Sequence, residues 1–329
     1  MPSYDVSLVV TVRDQAPLLR DALTSLTRQF EDPSRLQVLL VDDGSVDDPA
    51  AVAAEYAPAL PGLTVLRHEQ PRGLSEARNT GLAAAQGRTL GFMDGDDWFA
   101  PGHLASLLHS LDTLGVDFVR TDLIEEHAGT RKPRRAPHGL RSVPLVPRDT
   151  ILPATRTTLI DYPYAWAGLF HRRVHEELDL VRFRDGLHTA EDRPWIWRLF
   201  LGTSSLAVVD SPGILYRRGG GGTLTQILDE RQLQFTRAFA LAIEAVAADF
   251  EAERFLPKVA RQLLGVSAHQ LERSRAMTPE LRRRMRQGIG ETSARLPAEV
   301  LREAFDEVDA RRARVLRPWL ALEGKAVSA

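Results

Sequence analysis

Three carboxylates stand close together directly after an apolar segment of the chain. Asp94, Asp96 and Asp97 follow the run at residues 88–93, which has the sequence Arg-Thr-Leu-Gly-Phe-Met. Acids this close raise one another's pKa unless a cation or strong hydrogen-bond donors intervene. Carboxylate oxygens suit Mg²⁺ or Mn²⁺, above all where phosphate oxygens complete the coordination shell. This cluster therefore predicts a site for a metal ion and a nucleotide.

The composition describes a globular chain with room for a full core. It has 329 residues, of which 43% are hydrophobic and 26% charged; the length suggests about two domains. The formal net charge is −2, so the overall charge of the chain does not indicate a nucleic-acid partner. The sequence contains no cysteine, which excludes disulfides and thiolate metal sites.

The sequence also sets an expectation about location. Its first residues lack the charged and apolar regions of a signal peptide, and no apolar run reaches the roughly 18–20 residues of a membrane span. We expect a cytoplasmic protein and leave open a peripheral contact with the inner face of the membrane.

Apolar β-branched runs alternate with amphipathic segments over the first 125 residues. The alternation predicts an α/β fold with a mostly parallel sheet flanked by helices. Ligands bind such sheets at the carboxyl ends of strands, which is where Asp42, Asp43 and Asp94 stand. The predicted strands are residues 6–12, 36–41, 63–67, 88–93 and 116–121, and the predicted helices are residues 17–30, 50–56, 74–85 and 101–114.

The rest of the chain changes character twice. Residues 125–148 carry several Arg and one Lys among prolines and glycines, which predicts a mobile basic loop. The loop is either a solvated excursion or a contact for an anionic acceptor. Beyond residue 225, apolar periodicity predicts an all-helical region. An arginine-rich segment there is either a solvated basic face of the helices, a contact for acidic lipids or a homo-oligomer interface.

Four motifs occur in order at residues 6–14, 41–45, 77–81 and 92–97. They read Val-Ser-Leu-Val-Val-Thr-Val-Arg-Asp, Val-Asp-Asp-Gly-Ser, Ala-Arg-Asn-Thr-Gly and Phe-Met-Asp-Gly-Asp-Asp. This ordered set resembles glycosyltransferase family 2, whose nucleotide-binding fold is called GT-A. The resemblance implies a metal-dependent, inverting enzyme similar to bacterial cell-envelope polysaccharide or teichoic-acid glycosyltransferases.

The resemblance also implies the domain boundaries. Residues 1–225 would form the GT-A catalytic domain, with a nucleotide-sugar half at about 1–125 and an acceptor half at about 126–225. Residues 226–329 would form the helical C-terminal domain.

Several donor-binding residues follow from the resemblance. Asp42 and Asp43 would read the base, although a turn or helix-capping role remains the alternative. Thr11 and Arg13 would flank that base. The family often has proline and an aromatic residue at these two positions, so an arginine plane would replace the ring. Arg78 would contact a phosphate or a base carbonyl, unless it forms a surface salt bridge.

The acid cluster divides by role under the same resemblance. Asp94 would contact the ribose or sugar, and Asp96 would ligate the Mn²⁺ or Mg²⁺ that bridges the two phosphates. Asp97 would orient this shell, cap the next element of the chain or touch the acceptor. Trp166 and Trp195 are weaker candidates for stacking on a sugar, because at least two of the tryptophans are expected in the core.

The catalytic base is expected far from the cluster. Asp192 would take the proton of the acceptor hydroxyl, and Glu191 would orient it or bind the acceptor. The alternative is an acidic helix start that matches the helix dipole. Arg217, Arg218 and Thr223 would close on the departing diphosphate, or else belong to an ordinary basic loop.

The function predicted from these residues is transfer of a sugar from a UDP-sugar to an acceptor hydroxyl. The acceptor would be a cell-envelope glycan, a teichoic acid-like polyol-phosphate polymer or a related glycoconjugate. A nucleotidyltransferase is one alternative, although it usually has a glycine-rich loop after the first strand and residues 11–15 contain no glycine. The second alternative is an inactive relative that only binds a polymer, and the intact acids argue against it.

Overall fold

A computed structural model describes residues 4–219, 228–320 and 322 of the chain. These residues form two compact units. The first contains the described residues up to Pro147, the segment Tyr164–Gly186 and the described residues from Gly202 to Gly219. The second contains Arg148–Pro163, Leu187–Leu201 and the described residues from Leu228 onward. The domain boundary expected between residues 225 and 226 lies outside the described residues.

The first unit is built on one mixed sheet. Its strands, in chain order, are β1 (Tyr4–Val12), β2 (Leu36–Asp42), β3 (Leu63–Arg67), β4 (Gly87–Asp94), β5 (Trp98–Phe99), β6 (Phe118–His127), β7 (Thr130–Arg134), β8 (Gly168–His171) and β9 (Leu206–Arg217). Their order across the sheet is β3-β2-β1-β4-β8-β6-β9-β5, and β7 pairs with β6.

The sheet is parallel where the nucleotide-binding motifs lie. β2, β1 and β4 run parallel, as do β2 and β3. Beyond β4 the directions mix, because β8 is antiparallel to both of its neighbours while β6 and β9 run parallel. β1 lies between β2 and β4, and its last seven residues are buried. Burial on both faces explains its continuous apolar sequence.

Helices cover the sheet of the first unit. They are α1 (Ala16–Leu26), α2 (Pro49–Tyr56), α3 (Leu74–Ala84), α4 (His103–Leu114) and the short α5 (Arg173–Glu176). α3 packs closely on β1, since a Cβ at Gly81 would lie only 2.4 Å from Val9 Cγ1. Glycine at this position therefore determines how near α3 approaches the sheet.

The predicted basic loop begins as a hairpin, so the expectation of a loop over residues 125–148 was wrong for its first part. β6 continues to His127 and turns into β7. In the hairpin Glu125 is paired with Lys132, and Glu126 with Arg131. Opposite charges on facing positions of two paired strands stabilise the pairing. The composition of the segment alone did not show that acidic residues of one strand would face basic residues of the next.

The second unit is mainly helical. Its helices are α6 (Asp192–Gly202, whose last residue belongs to the first unit), α7 (Gln234–Ala247), α8 (Ala252–Arg273), α9 (Pro279–Ser293), α10 (Ala298–Asp306) and α11 (Ala310–Leu316). The predicted helical C-terminal region is thus confirmed over its described residues. None of the helices in this described part of the chain has both the length and the apolar character of a membrane span.

Candidate active site

The parallel register brings the predicted donor residues to one edge of the sheet. Thr11 of β1 is paired with Asp94 of β4, and Val12 is paired with Asp42 of β2. Three strands therefore end side by side with polar side chains at or next to their carboxyl ends. This is the position at which α/β sheets bind ligands.

Asp94 and Asp96 stand in a short loop that is tied to β1. The main-chain N–H of Gly95 donates to the Thr11 carbonyl at 2.8 Å. Asp94 Oδ1 accepts from Arg78 Nη2 at 3.0 Å, and Asp96 Oδ2 accepts from Gln15 Nε2 at 3.3 Å. Burial, and then the neighbouring charge of Asp94, raises the pKa of Asp96 to about 6.

Asp97 is the buried member of the cluster. Its side chain is 1% exposed, and Oδ1 accepts a hydrogen bond of 2.8 Å from the main-chain N–H of Arg217. Oδ2 is buried without a hydrogen-bond partner among the described residues. Burial, followed by the charges of Asp96 and Asp94, raises the pKa of Asp97 well above its usual value. In this conformation Asp97 supports the loop and offers little surface to a substrate.

The acids fit a metal ion that is held jointly with a nucleotide. No group of three or more His, Cys, Asp or Glu in the described part of the chain could hold a metal ion by itself. Mg²⁺ is usually bound by only one or two carboxylates together with substrate phosphates and water. Asp96 supplies one such carboxylate with Asp94 beside it, and the raised pKa of Asp96 indicates a site that favours added positive charge.

Arg78 is a buried cation beside these acids. It lies in α3, is 3% exposed and contacts Asp94. Its guanidinium carbon is 5.0 Å from the ring centroid of Phe183 and 6.0 Å from that of Phe92. The rings restrict the rotamers of the side chain, so the charge stays close to the acid loop.

The two acids after β2 have different surroundings. Asp42 is fully buried, accepts from the main-chain N–H of Ser45 at 2.8 Å and lies 3.0 Å from Arg67 Nη1. Asp43 accepts hydrogen bonds from the main-chain N–H groups of Arg72 and Gly73, each at 2.8 Å. Asp43 therefore joins the turn after β2 to the turn that begins α3.

His68 is a residue whose role sequence reasoning missed. It is 5% exposed and bridges Asp43, 2.8 Å from Nδ1, and the Thr80 hydroxyl, 2.9 Å from Nε2. Burial raises the pKa of Asp43, but the bonds from Arg72, His68 and Gly73 outweigh it, so the pKa stays below its usual value. In the sequence, the one sign of this role was the position of His68 directly after the predicted strand at residues 63–67.

Arg13 lies at the outer side of the same sheet edge. Its side chain is 45% exposed and forms an ion pair of 3.6 Å with Asp14. Asp14 adopts a positive φ of 54°, and its Oδ1 accepts from the main-chain N–H of Val46 at 2.8 Å. This turn keeps Arg13 accessible while the loops after β1 and β2 are held together.

Arg217 at the end of β9 also supports the acid loop. Its Nε donates to the Asp96 carbonyl at 2.9 Å, and Nη2 contacts Asp21 at 2.7 Å. The guanidinium carbon lies 4.6 Å from the ring centroid of Trp98. Asp21, Trp98 and Arg217 line an open cavity of about 520 Å³ together with three residues of the β6–β7 hairpin.

The other residues expected at the diphosphate are less informative. Arg218 Nη1 contacts the Tyr216 hydroxyl at 3.2 Å, and the guanidinium lies over that ring. Thr223 lies outside the described residues.

The tryptophans expected to contact a sugar are buried. Trp166 is 5% exposed and packs against Tyr164 and Tyr216, with ring centroids 4.9 and 5.1 Å away. Trp195 is 0% exposed in the core of the second unit. Neither ring offers an open face in this conformation, so sugar stacking remains a prediction without geometric support.

Asp192 and Glu191 belong to the second unit, at the start of α6. The Asp192 side chain is 26% exposed and lies 3.8 Å from Arg193 Nε, whereas Glu191 is 7% exposed. Ala190 just before them has a φ of +58°. The Thr189 hydroxyl donates to the Arg231 carbonyl at 2.7 Å, which ties this turn to the segment before α7.

Comparison with known proteins connects this geometry to a family. A family model described as "Glycosyl transferase family 2" matches residues 7–179, which is more than half of the chain. The match includes the ends of β1, β2 and β4 and the whole of α3.

Two curated relatives have names that concern glycosyl transfer or teichoic acid biosynthesis. The chain is 28% identical over 225 residues to "Uncharacterized glycosyltransferase EpsJ" of Bacillus subtilis, covering 68% of this chain and 63% of EpsJ. It is 33% identical over 110 residues to "Minor teichoic acid biosynthesis protein GgaB" of the same organism, covering 33% of this chain and 12% of GgaB. The chain thus spans less than two thirds of the length of either relative.

A solved structure shares the fold over nearly the whole chain. S. aureus TarS 1–349, in complex with UDP-GlcNAc, superposes with a TM-score of 0.79 at 18% identity, covering 96% of this chain and 91% of that one. This likeness confirms the predicted GT-A architecture with a helical C-terminal region.

Proposed function

The chain belongs to glycosyl transferase family 2, and on that premise we propose that it transfers a sugar from a UDP-sugar to an acceptor hydroxyl with inversion. The observation that carries this proposal is the loop of Asp94 and Asp96 at the carboxyl end of β4, beside the buried Arg78. Acids and a cation held together at a strand end suit a diphosphate bound with a divalent metal.

The donor residues act mainly by binding and orienting. Asp42 and Asp43 are assigned to the base at the end of β2, with Thr11 and Arg13 next to them, although both acids are buried in this conformation. Arg78 binds a phosphate or a base carbonyl, and Asp94 the ribose or sugar. Asp96 would hold Mn²⁺ or Mg²⁺, which when bound compensates negative charge on the leaving nucleoside diphosphate. Arg217, Arg218 and Thr223 would add positive charge and hydrogen bonds there.

Asp192 is the proposed general base, with Glu191 orienting it or the acceptor. The acceptor oxygen gives its proton to the Asp192 carboxylate and forms a bond to the anomeric carbon. The bond from that carbon to the diphosphate breaks, and its electron pair leaves with the phosphate oxygen. One in-line displacement through an oxocarbenium-like transition state inverts the configuration.

Relatives suggest the substrate class. TarS is described in complex with UDP-GlcNAc, and GgaB is named for minor teichoic acid biosynthesis. We extend this to a UDP-sugar donor and to a cell-envelope glycan or polyol-phosphate polymer as acceptor. Action in the cytoplasm, peripheral membrane contact, oligomer formation through the C-terminal helices and the boundary near residue 225 belong to the same proposal.

The two alternatives predict other products. A nucleotidyltransferase would form a nucleotide sugar and release pyrophosphate, and an inactive polymer-binding relative would release nothing. Release of UDP from a panel of UDP-sugars, with Mn²⁺ and cell-envelope glycan fractions as acceptors, separates all three. Release that depends on the acceptor supports the proposal, whereas pyrophosphate formation or no turnover with any donor contradicts it.

The base assignment has its own test. Asp192→Asn should lower acceptor-dependent UDP release by about 10²- to 10⁴-fold, because a positioned base contributes that range. UDP binding should stay unchanged, since the proposed role concerns the acceptor. Asp306→Asn, an exposed acid on α10, is the matched control. Equal release by Asp192→Asn and the control would refute the assignment.

A further inference from the structure

A second cavity lies within the helical unit. Its volume is about 270 Å³. All of its lining residues belong to the second unit, and none to the residues proposed to bind the donor. They are Arg156, Thr157, Asp161, Lys258, Arg261 and Gln262.

The only acid in this lining is already neutralised. Asp161 Oδ2 lies 2.5 Å from Lys258 Nζ, whose side chain is 2% exposed. The same oxygen accepts from the main-chain N–H of Thr158 at 2.8 Å, and Oδ1 accepts from Gln262 Nε2 at 2.8 Å. Lys258 Nζ also donates to the Arg156 carbonyl at 2.6 Å. The floor of the cavity is therefore a satisfied ion pair.

Two arginines remain as surplus positive charge. Arg156 and Arg261 are both exposed and line the same cavity. Arg261 Nη1 donates to the Ala154 carbonyl at 3.0 Å, which uses one of its five N–H groups. The guanidinium of Arg156 makes no hydrogen bond or ion pair with another residue in the described ranges. Like charges at one cavity repel each other unless an anion lies between them.

The lining chemistry matches a phosphate group. Guanidinium forks bind phosphate oxygens with two parallel hydrogen bonds each, and the exposed Thr157 provides a hydroxyl. Lys258, Arg261 and Gln262 lie at i, i+3 and i+4 on α8, so they share one face of the helix. A rigid helix therefore supports one side of the cavity.

The size of the cavity limits the ligand. Pockets for drug-sized molecules range over about 300–1,000 Å³, and this cavity of about 270 Å³ lies below that range. The cavity encloses about one phosphate with a few attached carbons, and the rest of any larger ligand would extend into solvent through its open side. We propose that Arg156, Arg261 and Thr157 form a phosphate-binding site on the helical unit.

Phosphate could reach this site from two sources. One is a free phosphorylated metabolite, which carries a monoester. The other is the phosphodiester of a polymeric acceptor. The contacts are the same for both, and neither requires the donor residues near Asp96, so the inference stands apart from the proposed sugar transfer.

Binding measurements on the full chain test the site. The probes are inorganic phosphate, glycerol 3-phosphate, a glycerophosphodiester and acetate, titrated at constant ionic strength by calorimetry. We expect saturable phosphate binding that Arg156→Gln/Arg261→Gln weakens about 10- to 100-fold, the range for losing hydrogen bonds to a charged group. Arg295→Gln/Arg302→Gln removes two exposed arginines of the same unit and should have little effect.

The remaining variants keep the test decisive. Arg156→Gln alone should fold, because its exposed guanidinium has no partner among the described residues, and should still weaken binding. Asp96→Asn should bind phosphate as the wild type does, whether or not it transfers sugar. Binding of the monoester alone supports a metabolite, and binding of the diester supports a polymer. The proposal is overturned if phosphate binding does not saturate, if acetate binds equally well, if the control pair loses as much or if Asp96→Asn abolishes binding.

Discussion

The main-chain N–H of Arg217 donates a hydrogen bond of 2.8 Å to Asp97 Oδ1 across 120 residues of sequence. The Arg217 guanidinium also donates to the Asp96 carbonyl at 2.9 Å. The end of β9 thus holds the loop that carries the acids. The position of Asp96 therefore depends on β9 as well as on β4.

Asp97→Ala should destabilise the protein through this bond. The substitution leaves the partly buried N–H of Arg217 without its acceptor, which costs up to about 1–3 kcal/mol. Asp97→Asn keeps an amide oxygen in that place and should cost less. Urea unfolding at pH 7 measures the free energy of unfolding of each variant. Equal stability of Asp97→Ala and Asp97→Asn would show that the acceptor oxygen does not matter.

Asp96→Asn should weaken metal binding in the presence of UDP. An amide is a poorer ligand than a carboxylate, and loss of even a supporting partner of a metal ligand costs about 10–100-fold in affinity. Titration of Mn²⁺ into the UDP complex, followed by electron paramagnetic resonance, gives the dissociation constant. Asp94→Asn should affect donor binding more than Mn²⁺ affinity, and Asp306→Asn should change neither. Mn²⁺ affinity unchanged in Asp96→Asn would remove Asp96 from the ligand set.

His68→Leu should weaken UDP binding. The substitution removes the hydrogen bond that orients Asp43 from the end of β3. Loss of a hydrogen bond to a charged group costs about 1.5–3 kcal/mol, which sets an upper bound of about 10- to 100-fold on the loss of UDP affinity. Calorimetry with UDP measures the change, and His68→Gln should recover part of it. A purely structural role would lower thermal stability in His68→Leu while leaving the dissociation constant for UDP as it was.

His103 should make the protein less stable as the pH falls. Burial lowers the pKa of this histidine from 6.5 to about 3 in the folded state. Between these values the unfolded chain binds the extra proton and the folded chain does not. The free energy of unfolding therefore falls on acidification by up to about 1.4 kcal/mol per pH unit, and is retained above pH 6.5.

His103→Gln should make this dependence shallower. Urea midpoints at pH 7 and pH 5 give the difference for each variant. His109→Gln, an exposed histidine on the same helix α4, should behave like the wild type. If His103→Gln kept the full loss between pH 7 and pH 5, the buried imidazole would not be its source.

Local sequence pattern was sufficient to locate the strand ends at which these acids lie. Apolar runs that stop at Asp42 and Asp94 predict strands with acids at their carboxyl ends, and a parallel sheet brings those ends together. The acids Asp94 and Asp96 could therefore be proposed as site residues from the sequence, together with Arg78, before the structure was known. The same local reasoning located the helical C-terminal region, because its apolar periodicity repeats over several turns.

Tertiary structure alone decided which side chains support these acids. Gln15, His68 and Arg217 reach these acids from the start of α1, the end of β3 and the end of β9. The sequence indicated Arg217 only as a diphosphate contact and His68 only by its place after a strand, and neither pattern predicted a contact with an acid. Likewise the pairing of β6 with β7 and the burial of Trp195 are features that the local sequence did not predict. The physical reason is that the spacing of hydrophobic residues specifies a helix or strand and its buried face. The elements that pack beside it from elsewhere in the sequence are determined by strand register and by crossover connections.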